Sequence, residues 1–420
     1  MQPLRRTWFT RAGKAAETAI DGEDMEEAEI LELYELSYMD LVLLSHPEKA
    51  LSSSSPGDRK KHQLISRDVL EALGPTGPGL LCITGVPRAA VLRHRLLPLA
   101  RKLALLDPDT RKRILKEHHL GSDVPLKNPD RNVSSFSAQL KYAQSSDKFC
   151  HEVSTNPDLQ EDEFTNLEGA FKELGFCMME MGLCIARVCD GEIGGRELED
   201  SLLESCTAKG RLIHYHSAAD KLLLRDALRR TRSMRQKMSR KHEGIYLDLW
   251  QQWHYDYGIF TVLTDPMFLS SSSLSKAGAV QCGHTYLKIY HPSENKVYLV
   301  KSPPPDSFIV QVGESADVLS KGKLRSTLHC VCRPEKLDHV SRETFAVFLQ
   351  PSWSKTFSYS DYVMDHIKLD SQLKASDLRR EIQKIVPPLS SRLKDGMTFA
   401  EFARQTTKQY YGGSGLQSSK

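Results

Sequence analysis

From about residue 210 the chain is written in short pieces. LIHYH, HYDYGIFTVL, HTYLKIYH, KVYLVKS, SFIVQVG, STLHCVC and ETFAVFLQP are parted by Ser, Pro, Asn and Gly turns. Each piece is rich in β-branched and aromatic residues and too short to stand alone, since strands need partners and a buried face. Many short strands at such spacing predict an antiparallel sandwich or jelly roll. That expectation limits everything else in the chain to packing around it.

The clearest helical signal precedes this region. Phe164, Leu167, Phe171, Leu174, Met178, Met181, Ile185 and Val188 step by three and four, drawing one apolar stripe along a long helix over 162–189. Asp190-Gly191 is expected to close it, and its stripe to lie on a sheet. Upstream, the N-terminal half reads as mainly helical with one or two strands. ELYELSYMDLVLL (32–44) reads as a strand running to a turn at Pro47, SSSSPGDRKK as a polar linker, and GLLCITGVP (79–87) as a short apolar strand. LRHRLLPLARKLALL (92–106) has helical spacing, with Pro98 expected to kink or divide it. Beyond Pro351 the pattern turns helical again and ends in the disordered-looking GGSGLQSSK.

Composition narrows the partners. A net charge of +3 over 420 residues is close to neutral, so no nucleic-acid partner is expected. No apolar run reaches the roughly 18 residues of a membrane span. Nine scattered cysteines, without a CxxC pair, fit reduced thiols and a cytoplasmic setting. Cys330 and Cys332 are expected on one face of a strand. Arg5, Arg6, Arg11 and Lys14 make the N-terminus basic; an organelle-targeting segment is the alternative to a flexible terminus. One insertion stands out in the β region: 224–241 carries eight basic residues and one acid, with Ala227, Thr231, Met234 and Met238 as a thin apolar stripe. A solvated rim helix is the plainer reading, and an acidic partner the sharper one.

Two polar constellations sit inside apolar segments. His254-Tyr255-Asp256 is the only HxD in the chain, and residues two apart point the same way from an extended strand. A histidine and a carboxylate so placed are two thirds of a 2-His-1-carboxylate triad suited to non-haem Fe(II). His329, in STLHCVC, is the candidate for the third member; a satisfied core histidine is the bland reading. The second constellation is Arg342 and Thr344, on one face of SRETFAVF. A guanidinium inside a β core calls for a bidentate anion, either an internal carboxylate or that of a small molecule.

The ordered composite resembles the C-terminal core of the 2-oxoglutarate- and Fe(II)-dependent dioxygenases, in the plant-type branch that includes isopenicillin N synthase-like enzymes. HxD is followed by Gly313-Glu314 at a strand end, then Leu319-Ser320-Lys321-Gly322, Ser326 and His329, then Arg342-x-Thr344. SYMDLVLL and LLCITGVP resemble earlier family segments. The resemblance covers most of 32–355 and is strong over 245–351. It implies an α+β fold: a double-stranded β-helix (jelly-roll) core, a helical N-terminal region, a long helix packed on the barrel and a helical C-terminal tail. It implies Fe(II) held by His254, Asp256 and His329, and 2-oxoglutarate held by Arg342, Thr344 and Tyr215. O2 would be the other co-substrate, succinate and CO2 would be released, and a small organic substrate would be hydroxylated or desaturated. The expected organisation is a flexible 1–30, a mainly helical 31–205, a catalytic core 206–355 with the basic insertion, and an extension over 356–420.

The sequence departs from the family pattern in four places. Thr344 stands for the usual Ser, and His216 for a Pro. His329 to Arg342 is longer than is common, with RPEKLDHVS expected as a wide hairpin loop. The basic insertion and the tail have no counterpart. Two other functions stay open at this point: an isopenicillin N synthase-like oxidase without a 2-oxoacid, and a non-catalytic binding or scaffold protein on the same fold. Zinc hydrolysis through the same triad is remote. Among the aromatics near the HxD strand, Tyr246, Trp250, Trp253, Phe260 and Phe268, most are expected in the core rather than in a pocket.

Overall fold

The computed structural model describes residues 29–46, 55–142, 163–231, 249–270, 279–334, 337–360, 362, 382 and 384–411. The N-terminal elements are β1 (Glu29–Leu31), β2 (Glu35–Ser37), α1 (Tyr38–Leu44), α2 (Pro56–Leu73), β3 (Leu80–Thr84), α3 (Ala89–Leu105), α4 (Pro108–Glu117), β4 (Gly121–Ser122) and β5 (Val133–Lys141). Next come α5 (Leu167–Ile193), α6 (Glu197–Ser205), β6 (Thr207–Tyr215), α7 (Ala218–Thr231), β7 (Leu249–His254), β8 (Phe260–Thr264), β9 (Met267–Ser270) and β10 (Ala279–Val280). The chain continues through β11 (His284–His291), β12 (Lys296–Lys301), β13 (Phe308–Val312), α8 (Glu314–Leu319), β14 (Leu328–Cys332) and β15 (Val340–Leu349). It closes on α9 (Leu389–Arg392) and α10 (Phe399–Tyr411).

Two sheets form the expected jelly roll within an α+β chain. The smaller runs β1-β12-β11-β14-β7; the larger runs β2-β3-β13-β8-β15-β6-β5-β4, with β9 also on β15 and β10 on β9. Their inner faces share one apolar cluster, in which Ile213 and Ala346 of the larger sheet meet Leu287, Ile289 and Val331 of the smaller. The outer face of the larger sheet belongs to the helices. Phe345, Val347 and Leu349 of β15 pack with Phe171, Leu174, Met178 and Ile185 of α5. The period-2 alternation of a strand thus sends 345, 347 and 349 to the helices and 342, 344, 346 and 348 inward. The Phe171 and Phe345 rings meet edge to face at 4.8 Å. A side chain at Gly210 would lie 2.8 Å from the Phe171 ring, so glycine there lets α5 settle on β6.

Several local expectations change. Residues 38–44 are helix, not strand: the Ser37 hydroxyl accepts from the Asp40 backbone N–H, capping α1 where strand was expected. Helix α5 passes Asp190 and ends at Ile193, with Gly194 at φ 85° as its C-cap. The buried Asp190 carboxylate instead receives the N–H groups of Leu198 and Glu199, capping α6. Pro98 lies within α3 and does not divide it. The strand β5 was hidden by its serines, which are poor strand formers but buried here. Ser134 bonds Arg131 and His216, and Ser135 bonds Arg211. The link from β14 to β15 is not a hairpin, because β14 lies in the smaller sheet and β15 in the larger, so the longer spacing spans the sandwich. Cys330 and Cys332 are both buried on β14, neither in a disulfide, and the Cys332 thiol donates to the Tyr286 carbonyl.

Among the described residues, no helix is long and apolar enough to cross a membrane. Helix α7 covers the start of the basic stretch; Met234 and Met238 lie outside the described residues, as do Tyr246, the first 28 residues and the tail after 411.

The C-terminal helices are pinned to the β core by one buried ion pair. Arg392 donates both Nη groups to Glu314, the first residue of α8, and is sandwiched between the rings of Phe402 and Tyr410. Removing one partner of such a pair strands a buried charge. Arg392→Ala is therefore expected to lower unfolding free energy by about 3–5 kcal/mol. Equilibrium urea unfolding checks this, and an unchanged midpoint contradicts it.

Candidate metal centre and co-substrate pocket

The cavity between the two sheets has a volume of about 270 Å3, and all six residues singled out from the sequence line it: Tyr215, His254, Asp256, His329, Arg342 and Thr344. His254 ends β7 and lies directly opposite His329 of β14 in the antiparallel ladder. Between this pair and the next, Val331 with Gln251, β7 advances three residues while β14 advances two. The extra residue is a bulge, a device that re-aims a side chain beside a site. It turns both Gln251 and His254 toward the cavity. The imidazole centroids stand 4.1 Å apart.

Asp256 is not on the strand with His254, as an extended HxD would require. It lies in the loop after β7, and the loop is held by α8. The N–H groups of Glu314 and Ser315 donate to the carbonyls of Asp256 and Gly258 at 2.8 and 3.0 Å, and the Ser315 hydroxyl donates to Tyr257 O at 2.6 Å. These are N–H groups that a helix start leaves without internal partners. A Cβ on Gly313 would sit 2.3 Å from the Gly258 carbonyl, so only glycine admits this docking. The Gly–acid pair read from the sequence thus has a mechanical meaning.

The donor atoms of His254, Asp256 and His329 lie within 4.8 Å of one another, with His254 Nε2 at 3.8 Å from Asp256 Oδ1. Two ligand bonds of about 2.1 Å reach at most some 4.2 Å and about 3 Å when cis, so the trio must draw together by up to about 2 Å to share one ion. The protonation fits. His254 Nδ1 lies 2.7 Å from the Gln252 carbonyl, which can only accept, so its Nε2 carries the lone pair. Burial, and then His329, push the His254 pKa down to about 3, keeping the ring neutral as a ligand must be. His329 Nδ1 sits 3.0 Å from the Thr327 carbonyl. Asp256 Oδ2 accepts from Thr261 Oγ1 at 2.7 Å and Gln311 Nε2 at 3.2 Å, leaving Oδ1 turned to the histidines. Such outer partners orient the ligands and tune them.

On the opposite wall Arg342 is buried, donates Nε to the Thr285 carbonyl at 2.9 Å, and lies 5.1 Å over the Tyr215 ring. Among the described residues no carboxylate reaches ion-pair distance, and none accepts a hydrogen bond from its Nη groups. Burial alone pulls its pKa below the ordinary arginine value, so the fold carries a desolvated cation facing a cavity. Thr344 stands beside it, its hydroxyl 3.4 Å from that of Thr264. The Tyr215 hydroxyl is committed elsewhere: it donates to Gln251 Oε1 at 2.8 Å, while the Gln251 amide nitrogen sits 2.9 Å from His254 Nε2. Tyr215 thus bridges the guanidinium wall to the imidazole wall.

Gln311, Gln251, Thr261 and Arg211 were not singled out from sequence. The signal for Gln311 was present: a polar residue inside the apolar FIVQV, one step before Val312-Gly313-Glu314. Of the nearby aromatics, Trp250, Phe260 and Phe268 are buried and none lines the cavity. Trp253 packs partly buried beside Tyr290 and Leu328.

A second trio, His214, His216 and Asp220, also has donor atoms within 4.8 Å. It is a poorer cation site. Asp220 already receives Arg101 through Nε and Nη2, and Ser217 through N–H and hydroxyl. His214 Nδ1 is taken by Glu343 at 2.8 Å, and the His216 pKa is driven far down by burial, then His214 and several cations. This trio is sealed behind the larger sheet, whereas the first faces the cavity.

Residues 234–351 match the family model described as the 2OG-Fe(II) oxygenase superfamily. No curated protein matches the chain. Among solved structures, full-length Neurospora crassa T7H with alpha-KG and 5-formyluracil superposes at a TM-score of 0.53 and 14% identity, covering 92% of this chain and 99% of that one. The same protein with alpha-KG alone gives 0.52 and 13%, covering 91% and 98%. JOX2 in complex with 2OG, Fe and JA gives 0.47 and 12%, covering 86% and 91%. The T7H likeness establishes the shared double-stranded β-helix fold. The matched segment carries the bulged histidine pair, the docked aspartate and the buried arginine, so residues 234–351 are similar to a 2OG-Fe(II) oxygenase domain within a chain of that shared fold.

Proposed function

We propose that His254, Asp256 and His329 hold Fe(II), that Arg342 and Thr344 take the distal carboxylate of 2-oxoglutarate, and that the enzyme oxidises a small organic molecule with release of succinate and CO2. One observation carries the reading: a preoriented His–Asp–His set, with the His254 ring kept neutral, shares a cavity with a buried guanidinium that has no described anion. When bound together, the iron and 2-oxoglutarate supply oxygen activation coupled to decarboxylation.

The chain's own residues orient and shield. The Gln252 carbonyl holds the His254 tautomer, and Thr261 and Gln311 fix which Asp256 oxygen faces the ion. Arg342 offers a planar fork to a carboxylate. We assign Tyr215 as a positioning residue that supports the guanidinium face and steadies Gln251, rather than as a direct ligand of the co-substrate. The apolar wall of Ile213, Leu263 and Ala346 keeps bulk water from the reacting centre. The motif order through Gly313-Glu314, Ser326 and Arg342 supports the plant-type, isopenicillin N synthase-like branch. All six assigned residues fall within 206–355, the proposed catalytic core.

Anaerobic Fe(II) titration, followed by succinate release on admitting oxygen, tests this. His254→Ala and Asp256→Ala are expected to abolish iron binding while leaving the far-UV spectrum unchanged. Arg342→Ala should keep iron and raise the 2-oxoglutarate requirement roughly 30-fold or more. An unchanged requirement would remove the clamp assignment, and 2-oxoglutarate-independent oxygen uptake would favour an oxidase. Gly313→Ala, whose added methyl would press on the Gly258 and Asp256 carbonyls and on no ligand side chain, should weaken iron binding by about tenfold or more through displacement of the Asp256 loop.

A further inference from the structure

The cavity has a second cationic end. Lys209 and Arg211 sit on β6 and line the cavity, whose wall also includes Tyr257, Phe348 and Tyr410. In the β6–β15 ladder Arg211 lies opposite Ala346, and Tyr215 opposite Arg342. Four residues of strand therefore separate the two arginine positions, about 13 Å. The floor between them is apolar: Ile213, Leu263 and Ala346.

The charges at this end do not cancel. Asp123 Oδ2 forms ion pairs with both Lys209 Nζ at 2.8 Å and Arg211 Nε at 2.9 Å, so two cations share one carboxylate. Burial opposes the Asp123 charge, but Arg211 and Lys209 outweigh it and hold its pKa below the usual carboxylate range. Arg211 Nε also donates to Ser135 at 3.1 Å, and its guanidinium carbon lies 5.5 Å from the Phe348 ring centre. Among the described residues none accepts a hydrogen bond from its Nη groups. Nearly buried at 12% side-chain exposure, Arg211 is a rigid fork with its outer edge free. Asp256, the other acid in this wall, faces the histidines.

We infer that Arg211, aided by Lys209, binds the carboxylate of the substrate to be oxidised, which is an apolar or aryl carboxylic acid lying along the Ile213–Ala346 floor. The inference rests on the proposed function only in naming this molecule the one oxidised. The geometry separates the two acids the cavity must hold: the co-substrate diacid at Arg342, the substrate acid at Arg211, with the metal ligands on the facing wall.

Calorimetric titration of the full chain, with 2-oxoglutarate present at saturation, tests the assignment using matched pairs: hexanoate, decanoate and 3-phenylpropionate, each against its primary amide. At least one acid should bind about tenfold or more tighter than its amide. Arg211→Ala should erase that preference and Arg211→Lys should restore part of it. Lys209→Ala should reduce it, which keeps the test sharp should Arg211→Ala misfold. Equal binding of acids and amides, no binding of any acid, or a preference that survives Arg211→Ala and vanishes in Arg342→Ala, overturns the inference. Iron- and 2-oxoglutarate-dependent succinate release with no acid preference sinks this inference alone. An Arg211-dependent preference in a chain that binds no iron sinks the proposed function and leaves the acid site standing.

Discussion

The site depends on one cross-strand pair. His329 and His254 face each other across the β14–β7 ladder, and the bulge beside them decides which way the second imidazole points. A one-residue slip would send every side chain of β7 to the other face of its sheet. Register here is therefore chemical as well as structural. The inner-face residues Trp250 and Val331 are buried in the sandwich core, and that burial resists slippage. Asp256 is added from outside this ladder, by a loop whose carbonyls satisfy the first N–H groups of α8. Three ligand candidates thus come from a strand end, a loop and a partner strand, each positioned by a different interaction.

Alternation along β6 and β15 gives the larger sheet two unlike faces. Inward parity carries Arg211, Tyr215, Arg342 and Thr344 to the cavity. Outward parity carries Leu212 and Phe345 to the helices, together with a sealed polar set in which His214 bonds Glu343 and faces Asp220. Glu343 thus lies one residue from Arg342 and on the opposite face. Its charge is spent on His214 and the Ser341 hydroxyl, so it does not neutralise the arginine. A desolvated guanidinium is tolerable in a fold when something recurrently binds it. The outer network makes that arrangement durable by fixing β6 against β15 from behind.

The legible part of the chain was the part governed by periodicity. The stripe from Phe164 to Val188 gave the long helix, and the short β segments gave the sandwich, because burial writes a repeating signal. HxD, His329 and Arg342 could be read because polar residues inside apolar strands are costly and call for partners. What stayed hidden was set by long-range pairing. Nothing local marks the bulge at Gln251, and the serines of β5 argue against a strand until Arg131, His216 and Arg211 arrive to bond them. Ser37 capping Asp40 converted an apparent strand into α1, a local signal outweighed by the apolar run beyond it. The β14–β15 link resembled a hairpin because sequence shows only its length, not the sheet at either end. Arg211 carried no signal in the sequence, and its register with Ala346 is what places it at the cavity.

The C-terminal helices join this scheme through a single residue. Glu314 gives its backbone N–H to the Asp256 carbonyl and its carboxylate to Arg392. Arg392 in turn lies beside Tyr410, whose hydroxyl accepts the backbone N–H of Tyr255 at 3.2 Å, between the histidine and the aspartate of the HxD. The tail therefore grips the ligand loop from both sides: below through α8, and above through α10. Thr406, Thr407 and Tyr410 also form part of the cavity wall. A segment without a counterpart in the resembling family both lines the pocket and restrains the loop that carries the carboxylate ligand candidate. Because one buried ion pair transmits both effects, the position of the tail and the geometry at Asp256 are set together.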